Sequence, residues 1–159
     1  MAVKYFAYGS NMAEAVMTER SRRHRFLGVA RLPDHRLMFN RRSIRTGSGV
    51  ADVVPASGES VWGVLYELDD AGLAALDRKE GHDWAYVREP LVVELSADGS
   101  RQRAVTYTVK EKEPVEVEPS ADYLEGIISA ASERGLPAAY IDSLRELRSR
   151  VAATQGQAP

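Results

Sequence analysis

Val61-Trp62-Gly63-Val64-Leu65-Tyr66-Glu67-Leu68 is the strongest strand signal met up to that point in the chain, dense in β-branched and aromatic residues. Asp69, directly after it, is a helix-capping residue type, which predicts a helix from about Asp70 to Glu80. Gly81 then stands where a left-handed residue closes a helix. A strand feeding a capped helix is the unit around which the rest of the sequence is arranged.

Upstream, residues 2–8 alternate small, aromatic and β-branched side chains and stop at Gly9, as a strand does at a sharp turn. Asn11 stands three residues before Glu14, the spacing of a capping box, and predicts a short helix. Phe26 to Leu32, Arg36 to Phe39 and Val50 to Val54 read as strands, Gly47-Ser48-Gly49 as a flexible loop and Gly58 as a turn. Downstream, Tyr86 to Leu95 and Gln102 to Val109 flank Asp98-Gly99, the turn dipeptide of a hairpin. A Pro- and Glu-bearing connector from Lys110 to Pro119 leads to Ser120, the cap of a helix in which Tyr123, Leu124, Ile127, Ile128 and Ala131 repeat at helical spacing and which Gly135 ends. Pro137 suits the first turn of a last helix with Ile141, Leu144, Leu147 and Val151 inward.

Strands first, one helix between them and two helices last make an α+β pattern rather than alternating βαβ units. The expected architecture is a mixed, largely antiparallel sheet curved into a small barrel with packed helices. Residues 1–151 are expected to form one domain and residues 152–159 a disordered C-terminal tail.

Composition narrows the chemistry. The 159 residues carry 44% hydrophobic content, enough for one core, and 21 basic against 23 acidic residues give a net charge of -2, which argues against a surface built to grip a polyanion. The absence of cysteine rules out disulfides, thiolate nucleophiles and iron-sulfur clusters. His24, His35 and His82 show no ligand spacing, so no metal is expected. No stretch approaches the roughly 18 apolar residues of a membrane span, and a cytoplasmic protein is expected.

Two places could carry chemistry. Glu80 lies four residues after Leu76 and seven after Leu73, on the helical stripe that faces the core. Desolvation and the negative end of the helix dipole would both raise its pKa toward the range useful for proton transfer near neutral pH. The alternative is a side chain fanning out to solvent at a fraying helix end. Tyr8-Gly9-Ser10-Asn11 runs a strand through a glycine turn onto a helix N-terminus, where several backbone amides converge and favour an anion. The alternative there is a plain turn in which Ser10 or Asn11 caps. Ser10 has no recognisable His and Asp partners, and neither a Gly-x-Ser-x-Gly elbow nor a phosphate-loop motif occurs. The nine arginines between Arg20 and Arg45 read chiefly as solvated rim residues.

Taken together, Tyr5-Phe6-Ala7-Tyr8-Gly9-Ser10-Asn11-Met12, Val61-Trp62-Gly63-Val64, Leu76-Asp77-Arg78-Lys79-Glu80-Gly81 and Gly135-Leu136-Pro137 resemble the gamma-glutamylcyclotransferase family in identity and order, over roughly residues 5–147. The resemblance implies a metal- and cofactor-independent enzyme, acyltransferase or lyase in type, that releases 5-oxoproline from a small-molecule gamma-glutamyl substrate on a small barrel. It implies Glu80 as the acid/base residue, the loop of Tyr8, Gly9, Ser10 and Asn11 as the holder of the gamma-glutamyl group, and Tyr86 and Tyr123 as aromatic residues of the pocket. No nucleic acid and no membrane partner are expected, and a homodimer is left open.

The physics of that reaction agrees with those assignments. An α-amine attacking its own γ-carbonyl closes a five-membered ring, so the protein must chiefly fix a rotamer and move protons. One glutamate can take the amine's proton and return a proton to the departing amine. The competing reading is a non-catalytic binding module on the same fold, with arginines 20–45 as its contact surface; a binder has no need of a desolvated acid.

Overall fold

Two long strands, β2 (His24–Arg42) and β3 (Gly49–Leu68), run antiparallel beside one another for nearly their whole lengths in the computed structural model, which describes residues 2–82 and 84–155. Each replaces two shorter strands expected from the sequence. The turn expected at Gly58 is present, at φ 81°, and Asp34 takes φ 57° between the two segments of β2, but both residues sit inside the ladder. Pairing passes from Pro33 opposite Ser60 to His35 opposite Pro55, and the Gly58 N–H donates to Asp34 Oδ1 at 3.0 Å across the slip. Extra residues on one strand bend and twist it, which helps a long ribbon wrap into a closed surface.

β1 (Val3–Ala7), β4 (Tyr86–Leu95) and β5 (Arg101–Val109) complete a closed barrel in the order β1-β3-β2-β4-β5. It closes where Tyr5 pairs in parallel with Val105; the other pairings are antiparallel. The α+β fold with a mixed barrel is the one expected. Gly99, at φ 70°, turns the β4–β5 hairpin as Asp98-Gly99 predicted. Gly63 is demanded by packing, because a Cβ there would lie 2.2 Å from the Ala7 carbonyl oxygen and 2.9 Å from the Phe6 ring.

Among the described residues four α-helices cover the barrel: α1 (Glu14–Arg20), α2 (Asp70–Glu80), α3 (Ala121–Arg134) and α4 (Ala138–Thr154). Asp69 accepts from Gly72 N and Ser120 from Tyr123 N, caps that each contribute about 1 kcal/mol. Gly81 and Gly135 close α2 and α3 in the left-handed region. The capping box expected at Asn11 and Glu14 does not form. A 3₁₀ turn over Ser10–Met12 intervenes, α1 starts only at Glu14, and its N-cap, Ala13, offers no side-chain acceptor. Glu14 turns to His24 and Arg134 instead, at 2.8 and 2.6 Å. Ala152–Thr154 continue α4, and residues 156–159 of the expected tail lie outside the described residues. No helix among the described residues is long and apolar enough to cross a membrane.

Strand periodicity sorts the core. Tyr5 and Ala7, with Val64, Tyr66 and Leu68, pack into one buried cluster with Met12, Met17 and Leu76. The alternate residues Phe6 and Leu65 join Leu32, Val61 and Val93 in a second. Arg134, at the end of α3, ties the chain just after β1 in place. Its Nε donates to the Met12 carbonyl at 2.9 Å, and its guanidinium lies 4.2 Å from the Phe26 ring centroid.

Candidate active site

The chain leaves β1 through Tyr8 and Gly9 into the 3₁₀ turn, with Met12 N bonded to Gly9 O and Ala13 N to Ser10 O. Among the described residues no acceptor is bonded to the N–H of Gly9, Ser10 or Asn11, so three amides are available at the mouth of the turn. Gly9 has φ -125°, and a Cβ there would meet no protein atom within 4 Å. Space within the protein therefore does not require a glycine at this turn. What a methyl could obstruct is the open space that Gly9 borders.

Asn11 is buried, and its amide is engaged away from the start of α1. Its Nδ2 donates to the Tyr5 hydroxyl at 2.9 Å and to Glu80 Oε1 at 3.2 Å. Glu80 is brought there by α2. Leu73 and Leu76 bury against the barrel, contributing about 1.5–3 kcal/mol each, and Glu80 follows Leu76 by four residues on the same face. The side chain does not fan out to solvent. Burial raises its pKa above the ordinary carboxylate range, and the Asn11 hydrogen bond and then the charges of Arg20 and Lys79 oppose that rise.

Tyr86 and Tyr123 close the opposite wall by gripping one residue of β3. The Tyr86 hydroxyl donates to the Ala51 carbonyl at 3.4 Å, and the Tyr123 hydroxyl accepts from the Ala51 N–H at 3.0 Å. Tyr8 donates to the Tyr107 carbonyl at 2.6 Å, and Tyr107 donates to Asp77 Oδ1, which also pairs with Arg88. The result is a cavity of about 80 Å³ bordered by Tyr8, Gly9, Ser10, Asn11, Glu80, Tyr86 and Tyr123, together with Tyr5, Ala51 and Tyr107. All seven residues singled out in the sequence thus meet at one end of the barrel.

The electrostatics are simple. Burial raises the phenol of each of the five tyrosines, that of Tyr123 up to about 12, so all stay neutral hydrogen-bonding groups. Glu80 is the one carboxylate bordering the cavity among the described residues. Trp84, 66% exposed, lies against Gly81, and Arg41 sits 5.8 Å from the ring centroids of both Trp84 and Tyr86, which puts a cation beside the cavity wall. No group of three or more His, Asp or Glu among the described residues is disposed to hold a metal.

Among the other arginines of the basic segment, Arg20, Arg22 and Arg23 border one depression together with Asp69. Arg25, Arg31 and Arg36 pair with Glu67, Glu94 and Glu116. A larger groove of about 780 Å³, between the β2–β3 ribbon and α4, is lined mainly by apolar side chains such as Leu37, Phe39 and Leu147. It contains none of the residues around Glu80. The smaller cavity is the better candidate because it combines a carboxylate of raised pKa, amides with no bonded acceptor among the described residues and oriented hydroxyls.

A family profile described as "Gamma-glutamyl cyclotransferase, AIG2-like" matches residues 5–125, from β1 through the start of α3. The chain belongs to this family. Gamma-glutamylcyclotransferase of Bos taurus is 31% identical over 150 residues, which cover 90% of this chain and 77% of the bovine one. The Homo sapiens gamma-glutamylcyclotransferase is 30% identical over the same shares. A solved structure named as a gamma-glutamyl cyclotransferase superposes with a TM-score of 0.83 at 30% identity, covering 91% of this chain and 87% of that one. The protein is accordingly an enzyme of the gamma-glutamylcyclotransferase family.

Three residues of this family member's cavity went unremarked in the sequence: Tyr5, Ala51 and Tyr107. Tyr5 carried a usable signal, since period two along β1 puts it on the face of Ala7 and Gly9. Tyr107 and Ala51 carried none, because only barrel closure brings β5 and the start of β3 to the end of β1.

Proposed function

We propose that the protein releases 5-oxoproline from a gamma-glutamyl compound by intramolecular aminolysis, with Glu80 as general acid/base. The observation that carries this reading is a carboxylate of raised pKa, tethered by Asn11 beside a turn with three available amides and otherwise surrounded by neutral tyrosines.

The α-carboxylate of the gamma-glutamyl head meets the amides of Gly9, Ser10 and Asn11, an anion on convergent donors. Tyr8, Tyr86 and Tyr123 enclose the head and hold it in the folded rotamer that brings the α-amine against its own γ-carbonyl. The amine is mostly protonated at neutral pH, so Glu80 takes its proton before the nitrogen attacks. The C–N bond of the ring forms as the carbonyl π bond opens to an oxyanion. The carbonyl then reforms, the bond to the departing nitrogen breaks as Glu80 returns its proton there, and Glu80 takes the second proton from the ring nitrogen to leave a neutral lactam, passing it to the released amine and ending ionised as it began. A raised pKa suits a group that must both accept and donate near neutrality.

The test is a panel of gamma-glutamyl amino acids, gamma-glutamyl amines and gamma-glutamyl-protected intermediates, assayed for 5-oxoproline by mass spectrometry. Release from at least one of them, lost in Glu80→Gln, is the expected result. No release from any, together with retained salt-sensitive affinity for RNA, would replace this reading with that of a binding module.

A further inference from the structure

The five tyrosines around the cavity do not use their hydroxyls alike. Tyr8, Tyr86 and Tyr107 each give their proton to a protein acceptor: the Tyr107 carbonyl, the Ala51 carbonyl and Asp77. Tyr5 and Tyr123 accept instead, from Asn11 Nδ2 and from Ala51 N. For Tyr5 the direction is fixed by Glu80. An ionised carboxylate only accepts, so the Asn11 atom facing it is the NH₂ group, and the Tyr5 oxygen bonded to the same nitrogen must accept as well. Among the described residues no acceptor takes the proton of Tyr5, and Tyr5 borders the cavity.

The shared amide also sets a distance. Two acceptors on one planar NH₂ group at 2.9 and 3.2 Å stand about 5 Å apart. That gap accommodates a nitrogen beside one group and, beside the other, the oxygen of the carbonyl whose carbon it attacks. Tyr123 has no such tie to Glu80, being fastened to Ala51. In the function proposed above, the turn amides are engaged by the α-carboxylate, and the γ-carbonyl oxygen still needs a donor when charge develops on it.

We propose that Tyr5 is a catalytic residue of the ring closure, its hydroxyl donating a hydrogen bond to the γ-carbonyl oxygen as the tetrahedral oxyanion forms, across from Glu80. The amine proton goes to Glu80, the electron pair of the C=O bond goes to the oxygen, and Tyr5 keeps its proton throughout. When the carbonyl reforms and the departing nitrogen takes the proton from Glu80, the Tyr5 bond weakens to that of a ground-state carbonyl. Burial, which raises the Tyr5 phenol above its ordinary value, keeps it a donor through the cycle. Asn11 serves both groups by holding them at a fixed separation.

The inference rests on the proposed function, and the test separates the two. Tyr5→Phe, Asn11→Ala and the double variant are compared with the parent for 5-oxoproline release from a substrate of the panel. Substrate affinity is measured by calorimetry in a Glu80→Gln background with and without Tyr5→Phe. The expected result is a 10²–10³-fold fall in kcat for Tyr5→Phe, with KM and the Glu80→Gln affinity within about threefold, as for loss of an oxyanion donor. A further loss of at least about tenfold is expected when Tyr5→Phe is added to Asn11→Ala. That comparison stands even if Tyr5→Phe alone folds poorly, because Asn11→Ala removes the amide that it would strand. No added loss in the Asn11→Ala background would reduce Tyr5 to a support for Asn11 and overturn the inference, as would a loss confined to KM. A parent that releases no 5-oxoproline removes the proposed function itself, and the inference with it.

Discussion

Asn11 and Glu80, separated by 69 positions in the chain, meet through one hydrogen bond from Nδ2 to Oε1 at 3.2 Å. The bond favours the ionised carboxylate and so opposes the rise that burial imposes on it. Removing the amide should therefore push the Glu80 pKa further up.

For Asn11→Ala, the acid limb of the kcat/KM profile should move to higher pH than in the parent. Stability should drop by about 1–2 kcal/mol, because the Tyr5 hydroxyl and Glu80 both lose a buried donor. A pH series of initial rates with a denaturant titration at each end checks both. An unmoved acid limb would mean that Glu80 is not the group being titrated.

Glu80→Gln should keep the fold and lose 10²–10⁴-fold in turnover, since an amide matches the shape but accepts no proton. It should also show a pH-dependent gain in stability. The folded state holds the Glu80 proton more tightly than the unfolded chain, so parent stability falls as pH rises from the ordinary carboxylate range through the raised value. The variant escapes that loss. Its melting temperature should match the parent's near about pH 4 and exceed it near about pH 8, read by calorimetry across the series.

Gly9→Ala should leave the melting temperature nearly unchanged, since a Cβ there meets no protein atom within 4 Å. Its effect should fall on binding of the gamma-glutamyl head. Two changes that remove one shared interaction are not additive, so deleting the α-carboxylate from the substrate should weaken binding to the parent but add little in Gly9→Ala. Calorimetric affinities for substrate and its decarboxylated analogue, with both proteins, complete the cycle. Independent penalties would detach the loop from the carboxylate.

Gly63→Ala tests the barrel and not the chemistry. The added methyl would press on the Ala7 carbonyl and the Phe6 ring of β1, and overpacking of this kind costs about 1–3 kcal/mol. A shift of the urea midpoint with unchanged slope would report it. An unchanged midpoint would show that β1 can retreat from β3 freely.

What the sequence determined by itself are features governed by neighbours a few residues apart. Asp69 and Ser120 cap their helices, Gly81 and Gly135 end them, and Gly99 turns a hairpin, because each effect is local and stereochemical. The four blocks of the family resemblance were likewise legible as plain identities, and with them the residues to look for. Tertiary structure decided the rest. Gly58 signals a break, but interstrand pairing outweighed it and left two long strands with register shifts along their ladder. Asn11 has the type and spacing of a cap, but a 3₁₀ turn moves the start of α1 past it, and the fold brings Glu80 to its amide beside Tyr5. Glu80 could have pointed to solvent or inward on its helical position alone. The amide that draws it into the cavity arrives from the other end of the sequence, and no local rule contains that contact.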